Sequence, residues 1–485
     1  MSILECQRLY GGKVRAVCQV DTVVRSIART GLAAVGVIGS FLAGSGTAFA
    51  QASKQEYPIP RNPSEDLTAI ERIFTPPKPP PLTAFPELRE RWQDTPAFLR
   101  DSKVSIDARS YYRDAVRPPG STTIQEAWAG GGSISAETGK LFDLVSLGAV
   151  LYTSFPIVAP PQYGNTGLLL PDQQGYAVFG QLYAQVHLGD ANEVTLGRHL
   201  YNTPFLGAHD NRMTPNTFSG YRLVGTYESD AGGPSFRYGA AYVDAMKPRD
   251  ALAFQSMASA AGAPTSNAGV GLVGGLMNWG PASIGAINYY SQDLLNIFYT
   301  EGKLGHDFGG GFTALAAAQF VAQNSTGQTL INGGNAFATN QLGMKVDLGY
   351  QTGILTLGYS VTNPGLGILT PWSANPFYTD ALIQGFQRAG EQAVMIGVSH
   401  TLKPVGLPGI ALAAHFFNGW TSAPAAGAPL VETEWDFHVD WRPGHRPLEG
   451  LWFRVQYGRS TVWQGGTVTD SEELRVVLNY DLKLY

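Results

Sequence analysis

The chain is short of charge, of cysteine and of long apolar runs. Charged residues make up 15% of its 485 positions, against roughly 25% in soluble domains, which argues against an ordinary water-soluble enzyme. The only cysteines are Cys6 and Cys18, both near the N-terminus. The chain beyond residue 50 therefore offers no disulfide, thiolate nucleophile or cysteine metal site. No stretch beyond residue 50 has 18 consecutive apolar residues, so helical membrane spans are excluded. The eight histidines are scattered without metal-ligand spacing, and no phosphate loop or basic run is present. No metal, cofactor or nucleic-acid partner is expected. Glycine, by contrast, is abundant at 58 residues, and aromatics make up 11%. Low charge, much glycine and many Tyr and Trp suit a membrane β-barrel better than a soluble fold.

The N-terminus reads as a secretory signal over residues 1–50. Arg25 and Arg29 precede an apolar run at 31–43, and Ala48, Phe49 and Ala50 form a small-residue cleavage site. Without this segment the chain carries 28 Lys/Arg against 36 Asp/Glu, a net charge of −8. Residues 51–96 then hold ten prolines, including Pro76, Pro77, Pro79, Pro80 and Pro81. Such a run is extended polyproline and cannot join a sheet. A short helix is expected at 64–74, with Leu67, Ile70 and Phe74 on one face. The segment is expected to be a periplasmic extension, and residues 97–485 the membrane domain.

The C-terminal 54 residues show the underlying pattern. In 432–442, Trp435, Phe437, Val439 and Trp441 alternate with Glu434, Asp436, His438, Asp440 and Arg442. In 451–457, Leu451, Phe453, Val455 and Tyr457 alternate with Arg454 and Gln456. In 473–484, Leu474, Val476, Leu478, Tyr480, Leu482 and Leu484 alternate with Arg475, Asn479, Asp481 and Lys483. Side chains of a strand switch faces at every residue, so these are strands with one aromatic, apolar face and one charged face.

The same alternation continues from Phe98 onward, and the breaks between strands differ in length. Long connections at 114–123, 156–175, 201–219, 244–268, 324–338, 363–391 and 421–431 alternate with short ones. The short ones lie near Gly139 and at 189–190, 229–233, 280–281, 306–310, 351–353, 403–408 and 443–450. One connection, 291–293, is short where the alternation requires a long one. The count is about 18 strands. The fold class is therefore all-β, a transmembrane antiparallel barrel with short periplasmic turns and long external loops.

With the aromatic face toward lipid, the opposite phase lines a lumen. Arg109, Tyr111 and Arg113 point inward from the first strand. Arg222, Arg237, Arg454 and Arg475 point inward from others. A guanidinium stays charged and can hold a carboxylate through two parallel hydrogen bonds. A series of them gives successive weak sites through which a solute can both enter and leave. The alternative is that these arginines pair with Asp107, Asp436 and Asp440 and line a wet wall. The third long connection would bring Asp210 and Arg212 to the constriction if it folds inward.

Several local motifs point to a family. Phe98, Asp101 and Ser102 lead into Arg109-Ser110-Tyr111-Tyr112. Later come Gly164-Asn165-Thr166-Gly167-Leu168-Leu169-Leu170-Pro171 and the stretch 210–220, which begins Asp210-Asn211-Arg212-Met213-Thr214-Pro215. Gly385-Phe386-Gln387-Arg388-Ala389-Gly390-Glu391 and the closing strands complete the set. In these motifs and their order the chain resembles the OprD-type (Occ) substrate-specific porins of Gram-negative bacteria. The resemblance implies an 18-stranded barrel, inward loops making a narrow constriction, and an arginine-rich track for small carboxylate solutes, with Arg109, Arg212 and Arg454 as carried-over positions. The family often has a second arginine where Gln456 stands, and the Pro-rich extension is not a feature associated with it. Tyr485 lies out of phase with the lipid-facing row ending at Leu484.

The expected function is passive, selective diffusion of small solutes across the outer membrane, without catalysis. Expected partners are the solutes and outer-membrane lipid and lipopolysaccharide, with the barrel a monomer or a weak trimer. One alternative is an anchoring barrel whose Pro-rich arm binds a periplasmic partner. The other is a barrel hydrolase, with His438 as base beside Asp436 and Asp440 but no serine in a recognisable nucleophile setting.

Overall fold

The computed structural model describes residues 83–117, 124–229, 233–421, 429–444 and 448–484. The expected signal peptide, the expected helix at 64–74, the proline run at 75–81 and Tyr485 lie outside them, as does most of the turn at 229–233.

Alternating sequence becomes alternating geometry. The strands are β1 (Lys103–Val116), β2 (Ile124–Glu137), β3 (Val145–Val158), β4 (Tyr176–Leu188), β5 (Asn192–His199), β6 (Thr217–Glu228) and β7 (Ser235–Lys247). They continue as β8 (Gln255–Ser256), β9 (Val270–Trp279), β10 (Ala282–Ser291), β11 (Leu295–Gly309), β12 (Phe312–Ser325) and β13 (Ala338–Tyr350). The last are β14 (Gly353–Thr362), β15 (Glu391–Thr401), β16 (Ile410–Thr421), β17 (Leu430–Trp441), β18 (Leu451–Gln464) and β19 (Thr467–Lys483). β8 is a two-residue strip on the end of β7. The other eighteen form one antiparallel sheet, and β7 pairs directly with β9. The sheet closes where β1 meets β19, from Ser105 opposite Lys483 to Val116 opposite Glu472. Closure leaves no strand edge, which hydrocarbon requires, because each unpaired backbone group there costs several kcal/mol.

The apolar phase faces outward: Trp435, Val439, Tyr221, Phe236 and Leu182 are all exposed. The charged phase faces inward, and Glu432, Glu434 and Asp436 are fully buried. An inside that is polar and an outside that is apolar is the inverse of a soluble protein and fits lipid around the barrel.

The connections at the long-loop end are numbered L1 to L9. L2 spans 159–175, L3 200–216, L4 248–269 and L7 363–390. L5 is only 292–294, so the short connection visible in the sequence there is real. Some boundaries differ from the sequence reading. The break expected at 306–310 is strand as far as Gly309, bulged between Asp307 and Gly309, and the turn falls on Gly310 and Gly311. β19 begins at Thr467, six residues before the alternation is clean, because its long-loop end carries polar residues on both faces. It is joined to β18 by a tight hairpin at Gly465 and Gly466, so the final long-end connection is short.

The tail of the Pro-rich segment is not separate from the sheet. Thr83 bridges Lys483 in parallel, and the backbone N–H groups of Ala84 and Phe85 donate to the carbonyls of Lys483 and Leu484 at 2.8 and 2.9 Å. Short helices at Pro86–Arg91 and Ala97–Arg100 follow. Phe98 accepts from the Gly139 N–H at 2.9 Å and from the Ser102 hydroxyl at 2.8 Å. This part of the chain is held at the short-turn rim beside the β1–β19 seam.

Candidate functional site

The lumen is divided by chemistry. On the wall formed by β9 to β12, L3, L4 and L7 meet in an apolar cluster that includes Phe205, Leu206, Met257, Tyr289, Tyr299, Trp372 and Phe377. Phe205 of L3 lies edge-on to Tyr289, Tyr299 and Phe377, with ring centroids 6.1, 6.0 and 6.1 Å away. Such pairs contribute about 0.5–1.5 kcal/mol each beyond their burial. The indole N–H of Trp372 donates to the Met257 carbonyl at 3.1 Å. These contacts hold three loops against the inner face of that wall.

That opposite wall, built by β1, β17, β18 and β19, carries the charge. Arg109 donates from Nη1 and Nη2 to the two carboxylate oxygens of Asp210 at 2.6 and 3.1 Å, and from Nε to Asn479 at 2.7 Å. It also donates to the Arg212 carbonyl at 2.5 Å, and the Tyr111 hydroxyl donates to the Asn211 carbonyl at 2.9 Å. L3 is thus folded inward and held against β1, with Asp210 exposed to the lumen.

Glu473 on β19 is the centre of a basic cluster. Arg113 binds its two oxygens at 2.9 and 3.0 Å, Arg475 donates to it at 2.6 Å, and Arg117 also pairs with it. The Arg212 guanidinium lies 3.8 Å away. Arg113 and Arg475 stand directly opposite each other across β1 and β19. Like charges so placed destabilise a sheet, and the shared carboxylate between them offsets that. These arginines also reach the loops. Arg113 and Arg212 donate to the Thr166 carbonyl of L2 at 3.3 and 3.2 Å, and Arg475 donates to the Leu382 carbonyl of L7 at 3.1 Å. Arg249 of L4 donates to Asn211 at 2.6 Å. Burial, then the charge of Arg475, pushes Arg212 well below its ordinary pKa, and burial also lowers Arg249 and Arg117. Gly167 of L2 lies against this group at φ +70°. A Cβ there would stand 3.3 Å from Nε of Arg212 and 3.5 Å from Nε of Arg249, so both backbone and space favour glycine.

The acids of β17 hold L7. The backbone N–H of Leu382 donates to Asp436 at 2.9 Å, and those of Ile383 and Gln384 donate to the two oxygens of Glu434 at 2.7 and 2.8 Å. Arg388 pairs with Glu432. Asp440 accepts from Arg454 at 2.7 and 3.1 Å and from the Trp452 indole at 2.7 Å.

The residues singled out from sequence therefore fall into two groups. Arg109, Tyr111, Arg113, Asp210, Arg212 and Arg475 come together where L3 meets the β1–β19 wall. Arg222, Arg237 and Arg454 stand apart. Arg222 lies on β6, 3.5 Å from Glu193, Arg237 on β7, and Arg454 beside Asp440 toward the short-turn end. Of the acids considered as arginine partners, Asp440 pairs with Arg454. Asp107 is instead placed opposite Asp481, and Asp436 is used by L7. Sequence reasoning missed Glu473, Glu434, Arg117, Arg249 and Arg388. Strand phase placed Glu434 inward and could have placed Glu473 there too, but no local signal marked their loop partners. His438, considered as a base, pairs with Gln456 at 2.9 Å and sits edge-on to His415. Its neighbours Asp436 and Asp440 are committed to L7 and to Arg454.

Comparison with known proteins agrees with this architecture. The sequence matches the family described as outer membrane porin, OprD family, over residues 96–484. No curated protein sequence matches. Among solved structures, OccAB2 of Acinetobacter baumannii is similar at TM-score 0.70 and 20% identity. OccK9 (OpdG) of Pseudomonas aeruginosa is similar at 0.69 and 21%, and OpdK of Pseudomonas aeruginosa, solved with vanillate, at 0.68 and 20%. Each alignment covers 80% of this chain and 100% of the other. With the family match over most of its length and an 18-stranded closed barrel, the chain belongs to the OprD family of outer-membrane porins, channels for small solutes.

Proposed function

We propose that this porin selects small anionic solutes, carboxylates above all, by an arginine-lined path at its constriction. The observation that carries the reading is the arginine cluster on the β1–β19 wall. Arg113, Arg117 and Arg475 share Glu473, the Arg212 guanidinium lies 3.8 Å from it, and Arg109 pairs with Asp210, while Asp107 and Asp481 stand opposite each other nearer the short-turn end. The nearby acids Glu432, Glu434 and Asp436 are turned to L7. Several guanidinium groups gathered on one shared carboxylate favour an anion entering the low-dielectric passage. Toward the short-turn end, Arg222, Arg237 and Arg454 extend the path. The vanillate bound to OpdK is an aromatic carboxylate, and a solute of that class is our expectation here.

The test is single-channel recording of the refolded barrel in a planar bilayer, with the reversal potential in a salt gradient and small carboxylates as blockers. Anion selectivity and millisecond block by carboxylates but not by sugars support the proposal. Arg109→Ala, Arg212→Ala and Arg454→Ala should each reduce carboxylate passage more than sugar passage, and equal loss for both would refute the path. We further propose that residues 51–96 lie in the periplasm and that the barrel acts as a monomer or weak trimer. An anchoring role for the Pro-rich arm draws support from Thr83–Phe85, which leave the barrel at the rim beside β19. A chain lacking 51–82 that conducts normally but no longer retains a periplasmic partner would favour that second role.

A further inference from the structure

On the outside of the barrel, the lipid-facing wall is not smooth. A groove of about 500 Å³ crosses β1 to β5 near the short-turn end. Its floor is Ala136, Ala149 and Ala184, and its sides are Leu147, Leu182 and Leu196. Strand pairing puts all six in the outward phase. Ala136 stands opposite Ala149, Ala149 opposite Leu182, Leu147 opposite Ala184, and Ala184 opposite Leu196. The three leucines are exposed. Strand side chains stand roughly perpendicular to the sheet, so alanines set among leucines leave a furrow between them.

Depth places the furrow in one leaflet. Ala136 is the last residue but one of β2, and Leu182 lies six residues above the short-turn end of β4 at Leu188. Six residues are about 20 Å of strand, or about 15 Å of depth at a tilt of about 40°. The apolar band of such a barrel is about 25 Å tall, so the furrow lies mostly in its short-turn half, the periplasmic leaflet.

The rim of the groove carries a pair of opposite charges. Lys103 is the exposed first residue of β1, and Glu137 is the last residue of β2. They stand opposite each other, and both line the groove. The Tyr183 hydroxyl donates to Glu137 at 3.4 Å. An apolar furrow that ends at one cation and one anion complements an amphiphile with a zwitterionic head.

We infer that this groove holds one phospholipid of the periplasmic leaflet, with an acyl chain along Ala136, Ala149 and Ala184, its phosphate at Lys103 and a primary ammonium of its head at Glu137. Every apolar wall of a barrel meets acyl chains. The advantage over an ordinary neighbouring lipid therefore comes from the close fit of the furrow and from the head. A phosphate accepts from the Lys103 ammonium, and an N–H₃⁺ group donates to the Glu137 carboxylate. A choline head has no N–H to donate and a glycerol head has no cation, so an ethanolamine head fits best.

The test is native mass spectrometry of the whole mature chain after incubation in detergent with an equal mixture of phosphatidylethanolamine, phosphatidylcholine and phosphatidylglycerol. One phosphatidylethanolamine should remain bound. Ala149→Phe fills the furrow from the lipid side and should abolish that retention. Ala318→Phe makes the same change on the outward face of β12, away from the groove, and should leave it intact. Lys103→Gln should weaken retention about tenfold, the loss of one charge-assisted hydrogen bond. Glu137→Gln should remove the preference for ethanolamine over choline. The site is overturned if the unaltered chain keeps no lipid or keeps all three alike, if Ala149→Phe retains lipid as before, or if Ala318→Phe loses as much. A dimer that Ala149→Phe abolishes would show that a second copy fills the groove, and would overturn it as well.

Discussion

Removing one carboxylate from the β17 wall should release the loop that narrows the pore. Glu434 accepts the backbone N–H groups of Ile383 and Gln384 at 2.7 and 2.8 Å, and Asp436 accepts that of Leu382 at 2.9 Å. Three successive amides of L7 therefore rest on two carboxyl groups. Glu434→Gln keeps one oxygen acceptor but turns the other position into an amide N–H₂ that faces an N–H donor. A buried N–H left without its acceptor costs about 1–3 kcal/mol. Each 1.4 kcal/mol is a factor of ten, so the undocked population of L7 rises by about fivefold to about a hundredfold. The side chain is otherwise isosteric and the barrel wall is unchanged, so folding should survive. In single-channel recordings the variant should flicker between its normal current and a larger one, and L7 should become sensitive to added protease. Asp436→Asn should do the same more weakly, since it holds one amide. A quiet trace with unchanged conductance and an uncut L7 in Glu434→Gln would show that the other contacts of the loop hold it without Glu434, and would refute the assignment of this acid as its clasp.

Other changes test other parts of the structure. Glu473→Gln leaves Arg113 and Arg475 opposite each other without their shared carboxylate, so the refolded barrel should lose about 3–5 kcal/mol as judged by denaturant titration in detergent, and any channel that forms should be more anion-selective. Trp435→Arg puts a charge on the outward face in the middle of β17 and should cost about 2–4 kcal/mol of folding into bilayers, whereas a change near zero would mean that face does not meet lipid. Removing residues 51–82 should leave conductance and selectivity unaltered, because the described sheet begins at the bridge from Thr83 to Lys483, and a changed conductance would place the Pro-rich segment in the pore.

How much of this could be read in advance depended on how local the physics was. The period-two alternation of Trp435, Phe437 and Val439 against Glu434, Asp436 and His438 was enough for a strand with a lipid face and a lumen face, because that choice is made residue by residue along one strand. Repeating the pattern with connections of unequal length was enough for a closed barrel of about eighteen strands. The inward phase of Arg109, Arg113 and Arg475 followed from the same alternation. Boundaries failed where alternation fades, as at the start of β19, whose long-loop end carries polar residues on both faces.

What sequence could not supply was the pairing of residues far apart in the chain. Arg113 and Glu473 are 360 positions apart and Ile383 and Glu434 are 51 apart, and no local rule links them. Arg109 appeared as a candidate solute contact, and only the folded barrel set Asp210 of L3 against it. Glu434 appeared as one more inward charge, and only the folded L7 gave it two amides to hold. The sequence by itself determined the wall of the channel, since the wall is a repeated local preference for lipid on one side and water on the other. The tertiary structure alone decided the constriction, because loops folded into the lumen take their positions from charge pairs and aromatic contacts that exist only once the barrel has closed.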